Sequence, residues 1–94
     1  MIIAIPRETD TNEARVSTTP HSAAELIKAG YTIKIESGAG DNSFFSDNDY
    51  QNVDAEIISS KEELFNGADI IIKVTPPSKE EIILMAKGTV CISF

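Results

Sequence analysis

The chain has no tryptophan, one cysteine and one histidine among its 94 residues, and only 6% of them are aromatic. It is also short of positive charge, with eight Lys and Arg against fifteen Asp and Glu and a formal net charge of −7. Each shortage excludes something. A lone thiol closes no internal disulfide, so this is not a disulfide-stapled scaffold, and a reducing compartment suits it. No paired cysteines and no metal-ligand spacing occur, so no metal is expected. The acidic balance argues against nucleic acid, whose phosphates need a basic patch, and against docking on anionic lipid. Apolar runs such as Ile70-Ile71-Ile72 are far too short to cross a bilayer. No basic segment followed by an apolar one opens the chain, so no secretory signal is read. Ninety-four residues make one domain at most, burying about two-thirds of the unfolded surface.

What is present is an ordered alternation of apolar strands and capped helices. Ile2-Ile3-Ala4-Ile5 reads as a short buried strand. Thr19 then serves as N-cap, with Pro20 at the first helical position, where its missing N–H costs nothing. Ala23, Leu26 and Ile27 share one face of that helix, and Gly30 supplies a left-handed end. Tyr31 to Glu36 alternates apolar and polar, which predicts an edge strand with one exposed face. Ser46-Asp47-Asn48-Asp49 opens a short helix through Asn52, and Glu56 to Ser59 is a brief third strand. Ser60 with Glu63 and Ser78 with Glu81 each have capping-box spacing. The first box opens a helix stopping at Gly67. The second opens one that carries Ile82, Ile83 and Met85 to Gly88. Between them Ile70 to Val74 is continuous and β-branched, which predicts burial on both faces, and Val90 to Phe94 is a fifth strand.

Strands alternating with helices predict a parallel sheet with right-handed crossovers, here a doubly wound three-layer α/β domain of about five strands. An open sheet with helices on one face only is the alternative. The closing strand, ending on Phe94 with no helix to cover it, predicts the opening piece of a longer polypeptide or a trimmed domain.

The chemistry concentrates in one place. The loop from Pro6 to Pro20 joins the first strand to the first helix, where about two to six residues would suffice. Long loops at the C-terminal ends of parallel strands carry ligand contacts in α/β proteins. This loop holds Arg7 and Arg15 in an otherwise acidic chain, which points to a small anionic ligand. Arg15 has a planar fork suited to carboxylate or phosphate; equally, it has Glu8, Asp10 and Glu13 nearby to pair with. Lys73 ends a strand of isoleucines and must reach either a partner at the sheet's C-terminal edge or solvent. Gly38-Ala39-Gly40 is not a dinucleotide fingerprint, because Ser43 stands where the third glycine belongs, and it reads as a flexible turn. His21 reads as solvent-facing, and Cys91 as a buried, inert thiol with no histidine placed to activate it.

These segments carry a family resemblance. Ile5-Pro6-Arg7-Glu8, Asn12-Glu13-Ala14-Arg15-Val16 and Thr19-Pro20 resemble the amino-terminal signature shared by alanine dehydrogenase and the NAD(P) transhydrogenase alpha subunit. Glu36-Ser37-Gly38-Ala39-Gly40, Phe45-Ser46-Asp47, Ala55-Glu56-Ile57 and Asp69 to Val74 continue the match over essentially the whole chain. Lys73-Val74-Thr75-Pro76-Pro77, Glu81-Ile82 and Gly88-Thr89 leading to Ile92-Ser93-Phe94 look more like the transhydrogenase; alanine dehydrogenase usually has a Lys-Val-Lys-Glu-Pro type of sequence here.

The resemblance implies that residues 1–94 are the flavodoxin-like first lobe of a two-domain subunit, with the Rossmann lobe downstream. It implies NAD(H) in the full-length subunit, bound mainly by residues beyond Phe94, with no cofactor-binding or catalytic residue within this stretch. It further implies a homodimer of full alpha subunits, allied to membrane and NADP-binding subunits on the cytoplasmic side of the inner membrane. In alanine dehydrogenase the matching arginine and lysine hold the substrate's carboxylate and carbonyl, which assigns Arg15 and Lys73 as substrate-binding by resemblance. In the transhydrogenase they become cleft structure. The favoured reading is therefore the amino-terminal part of a proton-translocating transhydrogenase alpha subunit. The alternatives are the amino-terminal lobe of alanine dehydrogenase, and a stand-alone binding module.

Overall fold

The five apolar stretches form five parallel strands, and the shortest path through them explains where the chemistry collects. The computed structural model describes residues 1–8, 16–85 and 88–93. The strands are β1 (Ile2–Ile5), β2 (Thr32–Glu36), β3 (Glu56–Ile58), β4 (Ile70–Lys73) and β5 (Val90–Ser93), in the order β3-β2-β1-β4-β5. Helices α1 (Pro20–Lys28), α2 (Asp47–Gln51), α3 (Lys61–Phe65) and α4 (Lys79–Leu84) make the crossovers, with a 3-10 turn at Asp41–Ser43. Among the described residues no helix is long and apolar enough to cross a membrane.

Side-chain alternation in β1 divides the core into two. Ile3 and Ile5 point to one face and pack with Ala23, Ile33, Ile35, Tyr50 and Ala55 beneath α1 and α2. Ala4 points to the other and packs with Leu64, Phe65, Ala68 and Ile71 beneath α3 and α4. Helices thus cover both faces, as expected for a doubly wound α/β domain, and the one-faced alternative is excluded. The chain steps from β1 outward to β2 and β3, then crosses back to β4 and β5. That reversal makes the gap beyond the carboxyl ends of β1 and β4 the topological switch point, where open α/β sheets bind ligands. Flavodoxin itself orders its strands 2-1-3-4-5; both arrangements obey the same rule.

The caps form largely as read. The Thr19 hydroxyl accepts from the Ser22 N–H, Pro20 opens α1, and Gly30 sits at φ +102° just past its end. Ser46 and Ser78 each head a reciprocal capping box, with Asp49 and Glu81 as partners. At α3 only the Ser60 half forms, accepting from the Glu63 N–H.

Three expectations are corrected. β2 is not an edge strand, because β1 and β3 flank it. Its polar alternation arises because Thr32, Lys34 and Glu36 face the thinner layer, where the five-residue α3 leaves them partly open. In α4 the buried residue is Glu81, while Ile82 and Ile83 are 56% and 80% exposed. Finally, the glycine turn after β2 is firmly held. The Asp47 carboxylate accepts from the Ser37 hydroxyl (2.6 Å) and the Gly38 N–H (2.9 Å), and Gly38 takes φ +82°. Gly40 lies against Phe45 and Tyr50 so closely that an added Cβ would come within 2.8 Å of the Phe45 carbonyl oxygen. Tyr50 is itself buried, its hydroxyl donating to the Thr18 carbonyl (2.8 Å), and burial with nearby Asp49 pushes its pKa up to about 12.

Gly40→Ala is expected to destabilise the chain by about 1–3 kcal/mol, because the Phe45 carbonyl and Cβ and the buried Tyr50 ring, none of them the far end of a flexible side chain, block the new methyl. A lowered denaturant midpoint at unchanged slope is the measurement that checks it.

Candidate functional site

Lys73 is the last residue of β4, and period-two alternation puts it on the same face as Ile71, under α4. Its side chain is fully buried. An unpaired ammonium there would be prohibitively costly, so the sequence must deliver carboxylates to it. The capping box does this. As N3 residue of α4, Glu81 turns back over the helix start, where its Oε1 accepts from the Ser78 N–H (2.9 Å) and from Lys73 Nζ (2.7 Å). Glu8, just past the end of β1, supplies a second carboxylate at 3.6 Å.

The network extends further. Glu81 Oε2 accepts from Lys61 Nζ at 3.1 Å, and Lys61 also donates to the Arg7 carbonyl at 3.1 Å. Lys61 lies 3.5 Å from Glu36 Oε1, which in turn accepts the Arg7 N–H at 2.7 Å. One chain of charges, Glu8–Lys73–Glu81–Lys61–Glu36, thereby ties together the carboxyl ends of β1, β2 and β4 and the first turns of α3 and α4. Among the described residues no buried side-chain nitrogen or oxygen lacks a partner. Burial by itself pushes the Glu81 carboxyl up. The hydrogen bonds from Lys73, the Ser78 N–H and Lys61 outweigh it, holding the carboxyl below its usual range.

Glu8 has a second task. Its Oε2 accepts from the Val74 N–H (3.0 Å), and its Oε1 from the Thr75 N–H (3.2 Å) and hydroxyl (2.7 Å). At the far side of the same loop, the Ser17 hydroxyl donates to the Ile72 carbonyl (2.9 Å). The loop that joins β1 to α1 is therefore pinned at Glu8 and at Ser17, both times to the end of β4.

Of the two residues singled out in the sequence, Lys73 sits at the switch point with carboxylate partners, and the solvent-facing option is wrong. Arg15 lies outside the described residues. The sequence does not point to Glu81, Lys61 or Glu36. The available signal is a strand ending in lysine followed eight residues later by the glutamate of a capping box, which necessarily faces back toward the strand's end. His21 is exposed, as expected, 3.2 Å from Glu25. Cys91 is half-buried rather than buried, paired in register with Ile71 on edge strand β5, and burial pushes its thiol pKa up. Among the described residues no group of His, Cys, Asp and Glu is arranged to hold a metal ion.

Comparison with known proteins gives a consistent result. The family model described as "Alanine dehydrogenase/PNT, N-terminal domain" matches residues 4–94. The chain is 43% identical, over 100% of its own length and 18% of the relative's, to NAD(P) transhydrogenase subunit alpha of Cereibacter sphaeroides. It is 37% identical to alanine dehydrogenase of Methanococcus maripaludis, over 100% of this chain and 25% of that one. The solved structure of an L-alanine dehydrogenase superposes with a TM-score of 0.93 at 32% identity, covering 100% of this chain and 26% of the other. The chain thus spans about a quarter or less of the relatives it matches.

Because the Glu81 carboxyl is held below its ordinary value of 4.5, its contribution to stability is complete above that value and is lost as pH falls through the folded one. The expected outcome is that the stability gap between wild type and Glu81→Gln, wide at neutral pH, narrows once the pH is taken below 4.5. Urea midpoints of both proteins at neutral pH and on the acid side of that value measure it.

Proposed function

Since the chain belongs to the alanine dehydrogenase/PNT N-terminal domain family, matched over residues 4–94, we propose that it is the first lobe of an NAD(H)-binding transhydrogenase alpha subunit. The observation that carries this choice is the 43% identity to a transhydrogenase alpha subunit, against 37% to an alanine dehydrogenase, each over the whole chain. The complete enzyme would pass hydride between NAD(H) and NADP(H), coupled to proton movement through separate membrane subunits, on the cytoplasmic side of the inner membrane. Its alpha subunits would pair as dimers. This lobe would supply one wall of the cleft.

The glycine turn after β2 supports a cleft wall rather than a dinucleotide site. The one glycine turn that could approach a pyrophosphate already gives its Gly38 N–H to Asp47 and packs Gly40 beneath Phe45 and Tyr50. NAD(H) would therefore be held by the rest of the subunit. What this lobe offers at the switch point is a buried, oriented ammonium and a pinned loop, able to fix the polar edge of whatever enters the cleft and to keep water from it.

One observation favours a second reading, reversible oxidative deamination of L-alanine to pyruvate and ammonia. The loop that carries Arg15 is tied at both described ends to the strand end that carries Lys73. Arg15 would clamp the substrate carboxylate while Lys73 polarises its ketone or imine oxygen.

Assays of the full-length protein separate the two. The transhydrogenase reading expects hydride transfer from NADPH to an NAD analogue in the presence of the membrane subunits, and no alanine-dependent NADH formation. Alanine turnover that falls at least about a hundredfold in Lys73→Arg, which preserves the charge opposite Glu81, would instead establish the second. Calorimetry on the 94-residue chain should show no micromolar NADH binding.

A further inference from the structure

Glu8 occupies a position that resembles a bound ligand more than an ordinary loop contact. Both of its carboxylate oxygens are engaged, and among the described residues their hydrogen-bond donors come from two adjacent residues, Val74 and Thr75, that follow Lys73. The Val74 N–H donates at 3.0 Å, the Thr75 N–H at 3.2 Å and the Thr75 hydroxyl at 2.7 Å, with the Lys73 ammonium at 3.6 Å. The Lys73 side chain is fully buried and that of Glu8 only 4% exposed, so these donors act away from bulk water, where charge-assisted hydrogen bonds are strongest. Consecutive backbone N–H groups beside an ammonium form an anion-binding concavity, and a hydroxyl completes it. Nothing in this donor set requires the carboxylate to be covalently joined to residue 8.

We infer that the turn Lys73–Thr75 is a carboxylate-binding site whose resident is the chain's own Glu8, and that a small free monocarboxylate occupies it once Glu8 is removed. The site takes carboxylates in preference to spherical anions, because Val74 serves one oxygen and Thr75 the other, so the donors are shared between two centres rather than one. In the intact chain the resident keeps free carboxylates out while fastening the loop after β1 to β4. A substrate carboxylate entering the cleft would accordingly meet a turn whose amides are already taken.

The test is chemical rescue. Glu8→Ala vacates the site; Glu8→Gln leaves it filled by a side chain of the same length. In Glu8→Ala, acetate or formate at saturation should raise the melting temperature by about 5 °C or more over chloride at equal ionic strength, and should slow amide exchange at Val74 and Thr75. Wild type and Glu8→Gln should show no such preference. If Glu8→Ala does not fold in chloride, the titration is run in trimethylamine N-oxide, which favours the compact state by exclusion from the protein surface. Acetate performing no better than chloride on the folded Glu8→Ala chain overturns the inference, as does an equal acetate effect in wild type.

Discussion

The constraint on which the rest depends is the burial of one ammonium. Lys73 ends the strand next to the centre of the sheet, and alternation allows it no exit to solvent. Its charge can persist there only if carboxylates are brought to it from elements far away in sequence. Glu81 arrives because α4 follows β4 and a capping glutamate must face the helix start. Glu8 arrives because β1 lies beside β4 in the sheet. Each carboxylate is itself obliged by burial to satisfy its remaining oxygen. That requirement draws in Lys61 on one side and the Val74–Thr75 turn on the other. Polar satisfaction, rather than apolar packing, thus fixes how α3, α4 and the β1 loop meet the sheet's carboxyl edge. A buried network of this kind adds little stability over an apolar substitute. Breaking it by removing one member costs several kcal/mol, so it specifies geometry more than it strengthens the fold.

The strands and caps are legible in the sequence because their causes are local. Ile2 to Ile5, the Thr19-Pro20 start and the Ser78–Glu81 box each carry their physics within a few residues, and all appear where the pattern puts them. The misreadings have a common origin in long-range competition. Ile82 and Ile83 look like the buried side of α4 if apolar residues alone bid for burial. Glu81 wins because the ammonium beneath it has nowhere else to find a partner, and turning Glu81 inward rotates the isoleucines out. The alternation in β2 is real, but it reports one thinly covered face rather than a place at the margin of the sheet. At the site, Lys73 is visible as an oddity within its own strand. Its partners are ordinary surface-type residues until the topology brings them together.

The site's chemistry does not by itself choose between the two branches of the family, since the same scaffold hosts different reactions through what is added to it. On the two proposed readings, the fixed ammonium at the switch point would either hold a small substrate's oxygen or serve as rigid support beside a nicotinamide ring. What differs is whether the lysine has a proton donor left for an incoming group. One of its hydrogen bonds is committed to Glu81 at 2.7 Å, whereas Glu8 at 3.6 Å lies at Coulombic rather than hydrogen-bonding distance. Among the described residues the ammonium therefore has one hydrogen bond to a carboxylate, that of Glu81, with Glu8 as a more distant counter-charge.

Charge counting sharpens what such a ligand needs. Glu8, Glu36 and Glu81 bring three negative charges, and Lys61 and Lys73 bring two positive ones. The described network therefore carries a net −1 and does not attract an anion. Arg7 does not correct this through its guanidinium, which lies beside Gly38 and Asp41 on the β2 side. An anionic substrate would demand a further cation, delivered to the same edge from a segment anchored there. The segment fastened by Glu8 and Ser17 has one arginine in its sequence, Arg15, and the proposed alanine reading would assign it that role. Neutrality would then be reached by Arg15 alone, and attraction only with the help of groups outside this lobe. On this argument Lys73 without Arg15 is a structural cation. Under the proposed alanine reading, the pair would become a recognition site once the rest of the subunit excluded water and so strengthened every remaining interaction.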